Sequence, residues 1–178
     1  MNRQVVLDKR IQQQMGFTLI EILIVVILIG ILATIIIPHV RVSSDDAKLN
    51  TLKTNLARMR RAIDIYHQQH NNTYPGVNKK DGKPANNENE AIEGFIKQLT
   101  RYTKLDGNVK NKRAPKHIFG PYITGAILPK NPFNDKNDLI CDITTTDITV
   151  RTSDGTSGWK FYTQTGILMA NDGANDGL

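Results

Sequence analysis

The feature that most constrains this chain is an apolar run near its N-terminus, from Phe17 to Ile37. Four residues interrupt the run: Thr18, Glu21, Gly30 and Thr34. A helix over this run would be about 31 Å long at about 1.5 Å per residue, which is enough to cross the hydrocarbon core of a bilayer. From Arg41 onward the composition is that of a soluble domain. The sequence therefore predicts a membrane-spanning helix, residues 17–38, followed by one globular domain, residues 39–178.

Basic residues before the run set its expected orientation. Arg3, Lys9 and Arg10 precede it, and positive charge beside a membrane helix favours the cytoplasmic side. We therefore expect a cytoplasmic N-terminus and an exported C-terminal domain. A cleaved secretory signal has an apolar stretch of about 7–15 residues followed by a small-x-small site. This run is longer and lacks that site, so the main alternative is a plain membrane anchor.

Glu21 does not suit a plain anchor. A carboxylate within a transmembrane helix costs about 2.5–3.5 kcal/mol on insertion scales. An anchor needs no such residue, so its presence indicates a function and a partner for the charge.

The stretch "GFTLIEILIVVILIGILATIIIP" resembles the N-terminal segment of the type IV pilin and pseudopilin family. The resemblance rests on the basic leader, the Gly16-Phe17 junction, the glutamate at the fifth position after that junction, and Pro38 at the end of the run. It implies that a prepilin peptidase removes residues 1–16 by cutting after Gly16 on the cytoplasmic side. The same enzyme would then methylate the new N-terminal residue, Phe17.

Such processing would give Glu21 its partner. The amine created at Phe17 has an unperturbed pKa of about 8 and is largely cationic at neutral pH. Glu21 lies one helical turn away, so it can pair with the amine of its own chain or of a neighbour. Pairing with a neighbour would offset two desolvation costs and fix the axial stagger of adjacent helices. Glu21 is therefore predicted to set register during assembly.

Two residues are predicted to weaken the helix. Pro38 has no amide hydrogen to donate, so we expect a kink or a local loss of helix there. Gly30 is a second weak point within the run.

Beyond the apolar run the helix is predicted to continue to about residue 70 as an amphipathic helix, residues 39–70. Apolar residues recur at spacings of three and four, which is typical of a helix with one buried face. They are Leu49, Leu52, Leu56, Met59, Ile63 and Tyr66. The stretch "HNNTYPG" ends the helix with residues typical of turns.

The rest of the chain predicts loops, one short helix and a β region. Residues 71–118 are loop with a helix over about 88–102. Residues 119–178 predict a strand within "PYITGAILPKNPFN", strand character across "DLICDITTTDITV", and two strands in "GWKFYTQTGILMAND" joined by a turn at 164–166. The expected fold is α+β, with a small antiparallel sheet packed on the long helix, and the resemblance implies the same pilin-like fold.

The β region carries a second, weaker resemblance. The segments "LPKNPFN" and "GWKFYTQTGILMAND" are similar to those of major-pseudopilin-like members associated with type II secretion. The resemblance implies a structural subunit that is held in the bacterial inner membrane and polymerises into a periplasmic filament. Its implied partners are copies of itself, other pseudopilins, prepilin peptidase and the inner-membrane assembly platform.

No catalytic arrangement stands out in the sequence, and an enzyme is not predicted. His67 and His70 have a spacing that could ligate a metal, but they are predicted as surface histidines. The single cysteine, Cys141, cannot form an internal disulfide and is predicted to pack as a small apolar residue.

Calcium is the one cofactor that the residues and the resemblance suggest. The segments "NDKND", "SDGTSG" and "NDGANDG" offer oxygen ligands, and some major pseudopilins bind calcium in their C-terminal β loops. None of the segments has the spacing of a D-x-[DN]-x-[DN]-G loop, and Asp, Asn and Gly are ordinary turn residues. Turns are the preferred interpretation, and calcium stays open.

Two other functions remain as alternatives. One is a type IV pilus pilin for adhesion, motility or DNA uptake. The formal charge of +6, or +4 without residues 1–16, fits DNA, but the charge is scattered and we prefer a solvated basic face to a nucleic-acid surface. The other is a periplasmic enzyme or binding module that uses residues 17–38 only as a tether.

Overall fold

The computed structural model describes residues 17–175 and 177–178 and, within its first helix, no side chains from 34 to 43. The predicted leader, residues 1–16 with Gly16, lies outside the described residues. The chain divides into two compact units, Met1–Ser44 and Asp45–Leu178.

The first helix, α1, spans Leu19–Gln69 and has 51 residues. It starts after Thr18, whose carbonyl accepts the first helical hydrogen bond from the Ile22 amide at 3.4 Å. It ends where Asn71 and Asn72 take positive φ values of 53° and 56°. Asparagine tolerates this left-handed conformation, which ends a helix by turning the backbone away from its axis.

Helix α1 continues through the positions of Gly30 and Pro38, so no local loss of helix occurs there. The predicted kink at these residues stays a prediction. Over the described residues, no helix combines the length and the apolar character needed to span a membrane.

Within Asp45–Leu178, α1 packs through the predicted apolar stripe. Five of its six residues are buried, and Leu49 is half-buried: the buried ones are Leu52, Leu56, Met59, Ile63 and Tyr66. They belong to one hydrophobic cluster with residues of the second helix and of the sheet. The spacing of the stripe therefore predicted the buried face correctly.

The second helix, α2, spans Glu88–Thr100, close to the predicted range. The side chain of Asn87 caps it by accepting a hydrogen bond from the Glu90 amide at 3.0 Å. Its buried face carries Phe95, whose ring centroid lies 4.7 Å from that of Phe161. Helix α2 thus packs its buried face against the sheet.

In the described part of the chain, five short strands form two sheets. Strands β1, Tyr102–Thr103, and β2, Val109–Lys110, make an antiparallel hairpin. The second sheet contains β3, Leu139–Asp142, β4, Trp159–Tyr162, and β5, Ile167–Ala170, in that order. The α+β fold predicted from the sequence is therefore confirmed.

The sheet differs from the expectation in one pairing. Strands β4 and β5 are antiparallel and joined by the predicted turn, but β3 and β4 are parallel. Residues 143–158 separate β3 from β4. In a parallel pair the chain must return to the starting end of the first strand before the second strand begins, and a short hairpin turn cannot do this. A connection of this length can.

Two predicted strands are not formed within the described residues. The segment 121–134 is irregular, because Pro121, Pro129 and Pro132 cannot donate to a ladder. After β3 the backbone turns instead of continuing: Asp142 accepts the amides of Thr144 and Thr145 at 2.9 and 2.8 Å. These local side-chain bonds compete with strand pairing.

Candidate functional site

The N-terminal end of α1 is closed by a reciprocal pair of side chains, Thr18 and Glu21. The Thr18 amide and hydroxyl both donate to Glu21 Oε2 at 2.8 Å. The Glu21 amide donates back to the Thr18 hydroxyl oxygen at 3.3 Å. This is a capping box, in which each side chain satisfies an amide that the first helical turn leaves free.

The capping box holds the Glu21 carboxylate at the very start of the helix. It accepts from the amide of Thr18, which is the residue directly after Phe17. Cleavage after Gly16 would therefore create a cation one residue away from a carboxylate that is already in position. The spacing T-x-x-E in the sequence is typical of this arrangement, and Thr18 is the one residue of the capping box that the resemblance did not indicate.

Around Glu21 the helix presents an apolar surface that is exposed within the part of the chain that the structure describes. Every large apolar side chain from Phe17 to Leu32 that the structure describes is at least 49% exposed. A Cβ built on Gly30 would meet no atom within 4 Å. An exposed apolar surface of this extent is typical of a membrane or protein contact.

His67 and His70 each stack on a tyrosine ring, and His70 uses both ring nitrogens in hydrogen bonds. His70 is 1% exposed, and its ring stacks on that of Tyr66 with centroids 3.8 Å apart. Its Nδ1–H donates to the Tyr66 carbonyl at 2.8 Å, so Nε2 accepts from the Thr103 hydroxyl at 2.9 Å. The prediction of a surface residue was wrong for His70, because Thr103 lies 33 positions away and supplies a buried partner. His67 is half-buried and stacks on Tyr74.

Burial shifts the pKa values of His70 and Cys141. Burial lowers the pKa of His70 below 6.5, although the carbonyl groups of Tyr66 and Lys104 and the charge of Asp106 act in the opposite direction. Burial raises the pKa of the Cys141 thiol, and Cys141 is fully buried in the core as predicted. A buried neutral thiol is a poor nucleophile and a poor metal ligand.

Three C-terminal segments, residues 131–138, 153–158 and 171–175, form a hydrogen-bonded group that we call the loop cluster. The side-chain amide of Asn131 donates to the Gly158 carbonyl at 3.1 Å and to Asp172 Oδ2 at 2.9 Å. That of Asn171 donates to Asp154 Oδ1 and to the Ser157 hydroxyl oxygen, both at 2.8 Å. Asn131 and Asn171 are both fully buried.

The carboxylates of the loop cluster are already occupied by N–H and O–H donors. Asp154 accepts from the hydroxyl and amide of Thr156 and from Asn171, and these bonds lower the pKa of Asp154 to about 2. Burial alone would raise the pKa of Asp172, but hydrogen bonds from Asn131 and from residues 174 and 175 outweigh it and lower that pKa. Asp135 pairs with Lys130 at 2.9 Å.

The donor set of the loop cluster does not fit calcium. Calcium takes six to eight oxygen ligands that converge on one point. Here the carbonyl oxygens of residues 155–158 accept from lysine and asparagine side chains, which are N–H donors. Over the described residues, no group of three or more His, Cys, Asp or Glu side chains is placed to hold a metal ion.

Comparison with known proteins identifies the N-terminal segment. Residues 12–37 match the family model described as the prokaryotic N-terminal methylation motif. The matched range contains the Gly16-Phe17 junction, Thr18 and Glu21. The comparison with solved structures found no match.

Relatives extend the similarity into the globular domain. The chain is 37% identical over 95 residues to type II secretion system core protein G of Pseudomonas aeruginosa. The aligned residues cover 49% of this chain and 66% of that protein. It is 32% identical over 99 residues to the protein of that name from Vibrio cholerae, covering 52% and 67%. It is 30% identical over 94 residues to the protein of that name from Escherichia coli K12, and the aligned residues cover 49% of this chain and 64% of that protein.

The chain therefore spans about two thirds of the length of these relatives. The N-terminal motif, the exposed apolar helix with its capping box and the α+β domain behind it agree with this similarity. The chain belongs to the type IV pilin and pseudopilin family, within the group of type II secretion system core protein G.

Proposed function

We propose that this chain is a structural subunit of a type II secretion pseudopilus. In this proposal its leader is cut after Gly16, Phe17 is methylated, and the mature chain polymerises through the N-terminal part of α1 into a periplasmic filament that supports protein export. The observation that carries the proposal is the exposed apolar surface of the described residues from Phe17 to Leu32, with the Glu21 carboxylate held at its start.

The apolar surface has two environments in which water is removed from it. In the inner membrane, lipid covers the side chains, and in a filament the helices of neighbouring subunits cover them. Burying one Val, Leu, Ile or Phe side chain is worth about 1.5–3 kcal/mol in either place. Hydrophobicity alone therefore does not decide between membrane and filament.

Glu21 supplies the difference between the two environments. Its carboxylate costs free energy in lipid, whereas in a filament it can meet the Phe17 amine of a neighbouring subunit. The capping box prepares this contact, because it fixes the carboxylate at the helix start before any neighbour arrives. Charge pairing at one position of an apolar contact also fixes the register between helices.

The proposal includes a place and partners. The N-terminus faces the cytoplasm, where prepilin peptidase acts, and the domain of residues 45–178 lies in the periplasm. Other pseudopilins and the inner-membrane assembly platform complete the system. The names of the relatives support secretion over a pilus used for adhesion or DNA uptake.

Replacing Glu21 tests the proposal. In cells that carry the matching secretion system, Glu21→Leu should be cleaved and should accumulate in the inner membrane, because the change makes membrane residence easier. It should form no filaments by electron microscopy and should stop export of the secreted protein. Asp46→Leu, which removes an exposed carboxylate from the same helix, is the control and should assemble.

A membrane-tethered enzyme or binding module predicts the opposite result for Glu21→Leu. A tether works equally well or better without the charge. Normal filaments and normal export in the Glu21→Leu strain would overturn the proposal.

A further inference from the structure

The loop cluster contains a side-chain ladder between two segments that are distant in sequence. Four consecutive backbone carbonyls, residues 155–158, accept hydrogen bonds from side chains of residues 131–136. Lys136 Nζ donates to the carbonyls of residues 155 and 156 at 3.3 and 2.8 Å. Asn134 donates to residue 157 at 2.9 Å, and Asn131 donates to residue 158 at 3.1 Å.

The two buried asparagines are the centre of this arrangement. Asn131 Oδ1 accepts the Phe133 amide at 2.9 Å, while its amide nitrogen bridges Gly158 and Asp172. Asn171 Oδ1 accepts the Asp154 amide at 2.9 Å, while its amide nitrogen bridges Asp154 and Ser157. Each side chain thus uses both its donors and its acceptor, as a buried polar group must.

The backbones of the two segments also approach closely. A Cβ on Gly158 would lie 2.3 Å from the carbonyl oxygen of Lys136, so only glycine fits at this point. The close approach keeps the carbonyls of residues 155–158 within reach of the ladder.

We propose that Asn131 and Asn171, with the Lys136 ammonium at the rim, do in this domain what a bound calcium ion does in a calcium loop. They fix the carbonyl and carboxylate oxygens of three loops by N–H donation, and the domain folds without a divalent cation. The physical reason is that a metal would have to displace these donors from the oxygens they already satisfy. Such displacement would leave the buried amide N–H groups of the asparagines without partners, which is costly.

A replacement of Asn131 by aspartate distinguishes an N–H lock from an ion site. Asn131→Asp is nearly isosteric but exchanges the amide donor for a second carboxylate beside Asp172 and the Gly158 carbonyl. The change removes the lock and creates a set of oxygen atoms that attracts a cation. Only the variant, and not the natural chain, should therefore respond to calcium.

The experiment is thermal unfolding of the full chain in detergent, followed by circular dichroism. One sample contains about 10 mM calcium chloride, which is about 10- to 100-fold above the dissociation constants of about 10⁻⁴–10⁻³ M of extracellular calcium sites, and another contains about 2 mM EGTA. The natural chain should show the same Tm in both, within about 1 °C, because a ligand shifts Tm only if it binds the folded state. Asn131→Asp should unfold about 5 °C or more below it in EGTA and should recover part of the loss in calcium. Asn89→Ala, an exposed asparagine on α2, should match the natural chain.

The result for the natural chain decides the proposal even if the variant does not fold. A rise in Tm of several degrees on adding calcium, or a fall in EGTA, would overturn it. The inference does not rest on the proposed function, since Tm reports on the domain whether or not the chain forms filaments.

Discussion

The structure shows a role for Thr18 that the resemblance to pilins did not indicate. Its hydroxyl and amide hold the Glu21 carboxylate at the start of α1. The sequence contained the signal, since a threonine three residues before a glutamate is typical of a capping box. The resemblance to pilins predicted roles for Gly16, Phe17 and Glu21. It predicted no role for Thr18.

We predict that Thr18→Val loosens the first turn of α1. The variant loses the hydroxyl that both donates to and accepts from Glu21, and loss of a helix cap costs about 1 kcal/mol. Amide hydrogen exchange of Glu21 and Ile22, whose amides donate to Thr18, should become several-fold faster. Thr18→Ser keeps the hydroxyl and should exchange at the natural rate; equal rates in all three chains would show that the cap does not hold this turn.

A second prediction concerns His70 and pH. Burial lowers its pKa in the folded chain, so the unfolded chain takes up a proton first as the pH falls. Stability is therefore full above about pH 6.5, the unperturbed value, and decreases as the pH drops below it. Urea unfolding between pH 8 and pH 5 should show this loss.

His70→Gln should flatten the pH dependence, because glutamine does not titrate. A residual slope is expected from His117, whose pKa burial also lowers. If the slope of His70→Gln equalled that of the natural chain, His70 would not be the responsible group.

Among the secondary-structure elements, the features that depend on local spacing were predicted correctly. Contacts between residues distant in sequence were not predicted. The stripe from Leu49 to Tyr66 and the β4–β5 turn follow from local spacing, which the sequence displays directly. The parallel pairing of β3 depends on the path of residues 143–158, and the burial of His70 depends on Thr103. Neither is visible in a short window of sequence.

The loop cluster shows the same limit at the candidate site. The sequence indicated turns rich in Asp, Asn and Gly, and turns are what the structure contains. That Asn131 meets Gly158 and Asp172, which are 27 and 41 positions away, follows only from the packing of the β region. Without that packing, the sequence does not distinguish a cation site from loops that are held together by N–H donors.

We predict that the stripe of α1 carries much of the stability of the domain. Leu56 is 2% exposed within the core, so Leu56→Ala should lower the free energy of unfolding by about 2–5 kcal/mol. Lys53→Ala, on the exposed side of the same helix, should change it by less than about 0.5 kcal/mol. Chemical denaturation of both variants measures the difference, and similar values would mean that this face of α1 is not the core face.

In the molecule as a whole, one part of the described chain buries its own apolar side chains and another part leaves them exposed. Residues 45–178 contain a closed hydrophobic core and a hydrogen-bonded loop cluster. The large apolar side chains from Phe17 to Leu32 are at least 49% exposed among the residues that the structure describes. Such a division suits a subunit whose domain folds once, while its N-terminal helix exchanges a membrane for a filament.

We propose that this helix is processed as a prepilin and drives polymerisation. Mass spectrometry of the protein isolated from cells that contain prepilin peptidase tests this proposal. The N-terminal peptide should begin at Phe17 and should carry one methyl group on its amine. A mature protein that still begins at Met1, or that begins at a residue other than Phe17, would contradict the claim.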